Sequence, residues 1–359
     1  MRNLLRPTAF VDSPFGHDGK VARLAGGMLW FSQIEMISWD GARRTSSELV
    51  PVERVFEWIA DQPEDERIAW ERLTSVRQPL QLGERTIRLD QPQLMGILNV
   101  TPDSFSDGGR FEGVEDAIAA GSDMAAAGAA ILDVGGESTR PGAAIVWEGD
   151  EIARAVPVIA RLAAAGNAVS ADTRKAEVMR AAIEAGAGMI NDVSALTFDP
   201  RSVEVVAAST VPVVLMHHQG DPATMQDNPR YADVLVEVYL RLEQRIAFAE
   251  AHGIARDRIL IDPGFGFGKT VAHNLALMNG LALLHGLGCP IVIGASRKRT
   301  IGALDREAAA NRRLGGSLAF ALKAAEQGAQ VIRVHDVPET IQALRVWRGL
   351  RDEALTPRQ

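Results

Sequence analysis

From Leu94 onward the chain repeats one pattern: a short apolar run, a polar or glycine-bearing junction, then an alanine-rich stretch with helical spacing. The apolar runs fall at Leu94–Val100, Ala130–Val134, Ala168–Ala171, Met189–Ile190, Val213–Met216, Ile259–Ile261, Ile291–Ile293 and Val331–Val334. They are continuous rather than alternating, as strands buried on both faces are. Between and after them the spacing predicts helices over 114–127, 150–165, 175–185, 201–208, 231–252, 272–286, 312–327 and 337–350. Several of these stretches run into a glycine, among them Gly128, Gly166 and Gly253, as helix C-termini do. The fold class predicted is α/β, a (β/α)8 TIM barrel with an N-terminal α+β extension. An open doubly wound sheet is the alternative, disfavoured by eight regular units without a nucleotide fingerprint.

The first part of the chain follows no such rhythm. Trp30, Trp39, Trp58 and Trp70, four of the six tryptophans, lie there. Gly27–Ser38 alternates enough to suggest one or two strands, Val52–Ile59 reads as a short helix, and Gln62–Glu66 as a charged surface turn. The domain reading is 1–90 extension, 91–351 barrel and 352–359 tail, with the boundary near Asp90. The extension carries no catalytic signature, and its aromatics are expected to pack it onto the barrel.

Composition narrows the function classes. With 359 residues, 47% hydrophobic and 23% charged, the chain can bury a large core, and wholesale disorder is excluded. A net charge of -8 disfavours nucleic acid and anionic membranes as partners. The single cysteine, Cys289, precedes an apolar run and is read as a core residue. The first residues hold too short an apolar run for a signal peptide, and no segment approaches the roughly 20 apolar residues of a membrane span. A cytoplasmic location is the expectation.

Candidate chemistry sits where the strands end. In a parallel barrel the site lies at the strand C-termini, and nearly every run here ends in a ligand-binding group. They are Asn99, then Asp133 before a glycine-rich loop, Asp172, Asn191-Asp192, Met216-His217-His218, Asp262 before Pro-Gly-Phe-Gly-Phe-Gly-Lys269, Ser296-Arg297-Lys298, and Arg333 with His335. So many buried polar groups on one face are hard to explain as solubility or capping, since each costs several kcal/mol unless partnered. Asp172, Asn191 and Asp262 suit a flat heterocycle with a guanidine-like edge. Arg140, Arg297, Lys298, Arg333 and His335 suggest a cationic rim for a phosphate or pyrophosphate. A polyanion nearby would suit Mg2+, for which Asn99 and Asp103 offer oxygens.

Other readings are weaker. Gly264–Thr270 imitates a P-loop, but Pro263 stands at the first required glycine and no clean helix start is read after Lys269-Thr270. Lys269 remains a possible side participant. Asp133 fits a loop cap as well as a ligand role, and Asp192 an N-cap. His17, His252, His273 and His285 are read as surface residues. Met216 and Phe267 fit core filler as well as ligand walls.

Eight blocks in order carry a resemblance to a known family: Met95–Gly109 (MGILNVTPDSFSDGG), Asp133–Ala143 (DVGGESTRPGA), Ala171–Val178 (ADTRKAEV), Ile190–Leu196 (INDVSAL), Leu215–Pro222 (LMHHQGDP), Leu260–Thr270 (LIDPGFGFGKT), Gly294–Arg299 (GASRKR) and Ile332–Val337 (IRVHDV). Over about 92–350 the chain resembles the dihydropteroate synthases. The resemblance implies a TIM-barrel transferase of folate biosynthesis and sulfonamide target. Its partners would be 6-hydroxymethyl-7,8-dihydropterin diphosphate and 4-aminobenzoate, with Mg2+ assisting and pyrophosphate released in a dissociative substitution. It also implies a homodimer. Carried over, Asp172, Asn191, Met216, Asp262, Phe267 and Lys298 bind pterin. Asn99, Thr139, Arg140, Arg333 and His335 bind the diphosphate, with Asn99 also on the metal. Phe105, Asp107, Pro141, Phe267 and Arg299 frame the aminobenzoate pocket, and Lys298, Asp103 and Arg140 are the catalytic candidates. Arg174, His218 and Arg299 depart from common family residues. A corrinoid-dependent pterin methyltransferase and a non-catalytic pterin-binding protein are the alternatives; neither needs the full diphosphate and lid set.

Overall fold

The extension opens with β1 (Arg2–Val11), β2 (Ala22–Arg23), β3 (Trp30–Trp39) and β4 (Arg44–Pro51). They form one antiparallel sheet in which β3 pairs with the other three strands. The computed structural model describes residues 2–101, 110–138, 145–220 and 225–356. Only β3 was legible beforehand. β4 exposes five consecutive residues of the eight it contains, so it shows no buried face to read. Helices α1 (Val52–Trp58) and α2 (Glu64–Thr74) follow. The expected charged turn at Gln62–Glu66 is instead the start of α2. Pro63 is its N-cap, and Glu64, Asp65 and Glu66 fill a first turn whose free N–H groups favour negative charge. Phe31, Ile34, Val52, Val55 and Leu73 bury a small core of the extension's own, with Phe31 edge-on to Trp70 at 6.0 Å.

A hairpin, β5 (Leu80–Leu82) and β6 (Arg85–Ile87), leads into the barrel. The barrel elements are β7 (Gln93–Asn99), α3 (Arg110–Ala127), β8 (Ile131–Gly135), α4 (Glu148–Ala164), β9 (Val169–Asp172), α5 (Ala176–Glu184), β10 (Met189–Asp192) and α6 (Ser202–Ala208). After these come β11 (Val213–Met216), α7 (Val234–Ala251), β12 (Ile259–Asp262), α8 (Val271–Gly280), β13 (Val292–Ile293), α9 (Arg299–Leu304), α10 (Leu314–Glu326), β14 (Val331–Val334) and α11 (Val337–Ala354). All eight strands are parallel, in the order β12-β11-β10-β9-β8-β7-β14-β13. A parallel bridge between Ile261 and Ile291 closes the ring. The helix expected over 272–286 divides: α8 ends at Gly280, and a 3-10 helix continues from Leu281 to Leu287. Gly280 is where α8 presses on α7, for a Cβ there would lie 2.4 Å from a Leu235 methyl.

Side chains alternate along each strand, so every second residue faces the barrel axis. At the floor these are Met95, Ile131, Ala168, Met189, Val214, Leu260, Val292 and Val331. The hairpin plugs them from below with Leu80, Leu82, Ile87 and Leu89, all at most 5% exposed. Each such side chain contributes about 1.5–3 kcal/mol by leaving water. The hairpin therefore packs with the barrel, although it precedes the boundary read at Asp90. The rest of the extension lies against the barrel's flank. Leu4, Ile37 and Trp39 join the main core, and Arg2 pairs with Glu243 on α7 through two 2.6 Å bonds. Among the described residues, no helix is long and apolar enough to cross a membrane.

Candidate active site

Two residues beyond the apolar floor layer, the same inward positions turn polar. Ile131 gives way to Asp133, Met189 to Asn191, Leu260 to Asp262 and Val331 to Arg333. One step further stand Asn99, Gly135, Asp172 and His335. Register pairs set Asn99 beside Gly135, Gly135 beside Asp172, and Asp172 beside Asn191 in one continuous row. Gly135 adds no side chain to that row, and a Cβ there would be in ordinary contact with the Asp172 Cβ at 3.4 Å.

Arg333 ties the layer together. Its Nε donates to Asp133 Oδ2 at 2.5 Å, and its Nη2 to Asp172 Oδ2 at 2.6 Å. Asn191 Nδ2 also donates to Asp133 Oδ2, at 3.0 Å. Asp133 is fully buried, and the structure gives it this clamp rather than a loop-capping bond. The other oxygens, Asp133 Oδ1 and Asp172 Oδ1, are buried without a hydrogen-bond partner among the described residues. Unpaired buried acceptors cost about 1–3 kcal/mol each, so a well-packed protein keeps few without reason. Burial pushes Asp172 up to about 7 although Arg333 pulls the other way. Burial likewise raises Asp262, whose Oδ1 accepts the Gly264 N–H at 2.7 Å. A carboxyl poised this way exchanges hydrogen bonds with N–H donors at little electrostatic cost.

The expected cationic rim needs correction. Arg297 forks onto Asp336, with its Nε at 3.0 Å. Arg333 is the counter-ion of two aspartates, with only Nη1 outside those bonds. His335 accepts from or donates to Ser296 Oγ through Nδ1 at 3.1 Å, and burial with Arg297 and Arg333 nearby holds it at about 4. It is a neutral imidazole at neutral pH. Lys298 lies over the Phe267 ring, 4.2 Å from its centroid, an arrangement that attracts a cation to the ring face. Arg299, the first residue of α9, is exposed. The rim arginines lacked visible partners in the sequence because Arg333 and Asp133 are 200 positions apart.

The glycine loop after β12 is held from behind. Lys269, 4% exposed, donates to Gly264 O at 3.0 Å and Phe267 O at 2.9 Å, and meets His217 Nδ1 at 2.9 Å. Burial brings its ammonium down to about 7. Gly264 at φ +67° lies so close to the His217 carbonyl that a Cβ would fall 1.8 Å from it. No other residue fits there. Contrary to the sequence reading, a helix does start after Lys269: Thr270 caps α8 in a capping box with His273. Asp192 behaves as a cap, accepting from Ser194 and Leu196 amides at 2.7 Å each. His285 is no surface residue. It is fully buried, with Nε2 3.2 Å from Gln327 O. Cys289 is buried, as read.

Met216 ends β11 beside Asp262, and Phe267, half-buried, lies under the Lys298 ammonium. Arg174, a family departure, is held by Glu137 at 3.1 Å and stacks on Phe198 at 4.0 Å. Asp103, Phe105, Asp107, Thr139, Arg140 and Pro141 lie outside the described residues. The structure thus brings together Asn99, Asp172, Asn191, Met216, Asp262, Phe267, Lys298, Arg333 and His335 around one barrel mouth. Asp133 and Lys269 join them. Counting in twos from the floor residue Ile131 finds Asp133; a lysine following a glycine loop gives no comparable signal.

Comparison with known proteins agrees with this geometry. The family profile described as "Pterin binding enzyme" matches residues 95–335. The dihydropteroate synthase of Escherichia coli strain K12 is 48% identical over 262 residues, 73% of this chain and 92% of that protein. That of Neisseria meningitidis serogroup B is 49% identical over 276 residues, covering 75% and 96%. Among solved structures, Xanthomonas albilineans dihydropteroate synthase with 4-aminobenzoic acid superposes with a TM-score of 0.72 and 50% identity, over 77% of this chain and 99% of that one. The same enzyme in complex with 7,8-dihydropteroate gives 0.69 and 48%, over 76% and 98%. The chain belongs to the pterin-binding enzymes and, within them, to the dihydropteroate synthase family, transferases of folate biosynthesis.

Proposed function

We propose that the barrel mouth joins 4-aminobenzoate to 6-hydroxymethyl-7,8-dihydropterin diphosphate, giving 7,8-dihydropteroate and pyrophosphate. The observation that carries this reading is the inward polar layer built on Asp133, Asp172, Asn191, Asp262 and Arg333 directly above an apolar floor. The Asp172, Asn191 and Asp262 side chains supply acceptors and one amide donor to the edge of a flat heterocycle. Met216 and Phe267 wall it, and Lys298 above Phe267 donates to a ring acceptor. Support for the ligands comes from the relatives crystallised with 4-aminobenzoic acid and with 7,8-dihydropteroate.

Pterin held this way turns its methylene toward Asn99, Arg333 and His335, and the family resemblance adds Thr139 and Arg140 as further diphosphate ligands. The bond between the methylene carbon and the diphosphate oxygen breaks, and pyrophosphate leaves with the electron pair. Arg333 Nη1 and the His335 imidazole stabilise the departing charge by hydrogen bonding. The aniline nitrogen then forms a C–N bond to the methylene cation and gives up one proton to the departing pyrophosphate or to water. Phe105, Asp107, Pro141, Phe267 and Arg299 would hold the aminobenzoate, Arg299 by pairing with its carboxylate. Positioning and electrostatic stabilisation carry the reaction, with Lys298, Asp103 and Arg140 as its catalytic residues and no covalent enzyme intermediate. A sulfonamide, which imitates the aminobenzoate, would compete for the same pocket.

Asn99 offers one neutral oxygen at the mouth. Among the described residues no group of three or more His, Cys, Asp or Glu could hold a metal ion. That donor set fits Mg2+ arriving with the diphosphate, where it would neutralise charge on the leaving group. The test is pyrophosphate release from the pterin diphosphate with and without 4-aminobenzoate. Release that speeds up with added aniline is expected. Release at the same rate without it, or none with it, rejects the synthase reading.

A further inference from the structure

At the opposite end of the barrel from the mouth, the extension and the barrel enclose a cleft of about 370 Å³ between α2 and the segment entering β13. Three arginines line it: Arg72 and Arg77 from the extension, and Arg256 from the turn before β12. Arg77 is 7% exposed, yet no carboxylate pairs with it among the described residues. Its Nη1 donates to Ser75 O at 3.1 Å and its Nη2 to His285 O at 3.0 Å. Its Nε is buried with no partner among the described residues. Arg72, half-buried, makes neither a hydrogen bond nor an ion pair among the described residues. Its stem is pinned across Gly288, where a Cβ would fall 2.9 Å from Arg72 Cγ. Arg256 alone has a carboxylate, Glu250, held at 2.9 and 2.7 Å, and its Nη1 donates to Leu287 O at 2.6 Å.

Guanidinium groups brought together out of water repel one another, and an unpaired buried cation costs far more than a surface one. Burial and the neighbouring Arg72 bring even Arg77 down to about 10. Two carboxylates, Glu71 and Asp257, also line the cleft, but both are exposed and neither forms an ion pair with the arginines. The concave space, the forked donors and the uncompensated buried charge together define what fills it.

We propose that this cleft is a second anion site, built for a phosphate-bearing small molecule and distinct from the diphosphate site at the mouth. Guanidinium groups recognise phosphate oxygens through paired N–H donors, and a ligand bridging Arg72, Arg77 and Arg256 would lock the extension onto the barrel. The site gives the extension a task that the barrel alone could not perform, because two of its three cations come from the extension. It goes beyond the synthase reading and does not rest on it.

The experiment is calorimetric titration of the full chain with inorganic phosphate, and separately with pyrophosphate, at constant ionic strength, on wild type and on Arg72→Gln. Arg72→Lys, which keeps the charge without the fork, serves as the conservative control. Two classes of phosphate site are expected in wild type, one of them lost or weakened at least tenfold in Arg72→Gln and partly kept in Arg72→Lys. Aminobenzoate-dependent turnover is expected to be unchanged in both variants, which also shows that they fold. Equal phosphate stoichiometry and affinity in wild type and Arg72→Gln overturns the proposal, whatever the turnover assay shows. Citrate at equal ionic strength distinguishes the sources of charge: matching affinity for citrate would make the site a general polyanion trap and would reject phosphate selectivity.

Discussion

The two ends of the barrel use the same eight strands for opposite purposes. At the floor, inward residues such as Ile131, Met189 and Leu260 form one apolar cluster with Leu80 and Leu82 of the hairpin. Two positions along the same strands, Asp133, Asn191 and Asp262 face the mouth, and Asp133 and Asp172 each keep a buried oxygen without a partner among the described residues. The floor is optimised for burial alone. The mouth holds charge at a cost to stability, which is how a preformed site differs from a core. Substitutions at the floor should therefore cost stability and spare activity, whereas every substitution at the mouth should cost activity, whatever it does to stability.

The largest effect is expected from Arg333→Ala. It removes the counter-ion of both Asp133 and Asp172, so turnover should fall by at least about a thousandfold and stability by about 3–5 kcal/mol, measured by pyrophosphate release and urea unfolding. Retention of wild-type turnover would remove Arg333 from the site. Next comes Leu82→Ala, which opens a cavity at the floor. Here about 2–5 kcal/mol of stability should be lost while kcat/KM of the folded fraction stays within about twofold of wild type. A large kcat/KM loss would mean that floor packing reaches the mouth.

Lys269→Met sharpens the contrast, because Lys269 touches loop carbonyls rather than ligand. Without its bonds to Gly264 and Phe267, the Phe267 wall and the Lys298 contact above it loosen. A rise in the pterin diphosphate KM of about tenfold is expected, with a smaller change in kcat. A pure kcat effect would instead make Lys269 a participant in the chemistry. The smallest effect concerns His285, far from the mouth, which burial holds at about 3. Below the unfolded value of 6.5 the unfolded imidazole takes up a proton that the folded one refuses. Stability from this group is therefore fully present above 6.5 and lost as pH falls toward 3, by about 1.4 kcal/mol at pH 5.5. His285→Asn should flatten that part of the urea-midpoint profile, and a variant profile parallel to wild type would place the pH dependence elsewhere.

The barrel was legible because its strands are continuous apolar runs and its helices close on left-handed glycines such as Gly128 at φ +122° and Gly166 at φ +79°. The pterin-facing residues were legible because they follow those runs directly. Pairings were not. That Arg297 belongs to Asp336, and Arg333 to Asp133 and Asp172, depends on how strands distant in sequence are ordered around the ring. Nor was β1, whose buried Leu4 and Leu5 sit in a run broken by charges and a proline. His285 looked exposed because nothing in its neighbourhood shows that the extension covers it. Arg77 donates to its carbonyl from 208 positions away.

Asp172→Asn tests the central claim most directly, with kcat/KM and unfolding free energy measured on the same protein from pH 4 to 8. Burial raises the Asp172 carboxyl to about 7, so wild type loses stability as pH rises from about 4 to 7, while the unfolded carboxyl ionises and the folded one does not. The asparagine variant lacks that loss. Its stability relative to wild type should grow over this interval and be equal or higher at pH 8, while kcat/KM falls by about a thousandfold. A variant that keeps its activity, or loses stability along with it at pH 8, would contradict the view that the mouth holds buried charge for ligand binding rather than for the fold.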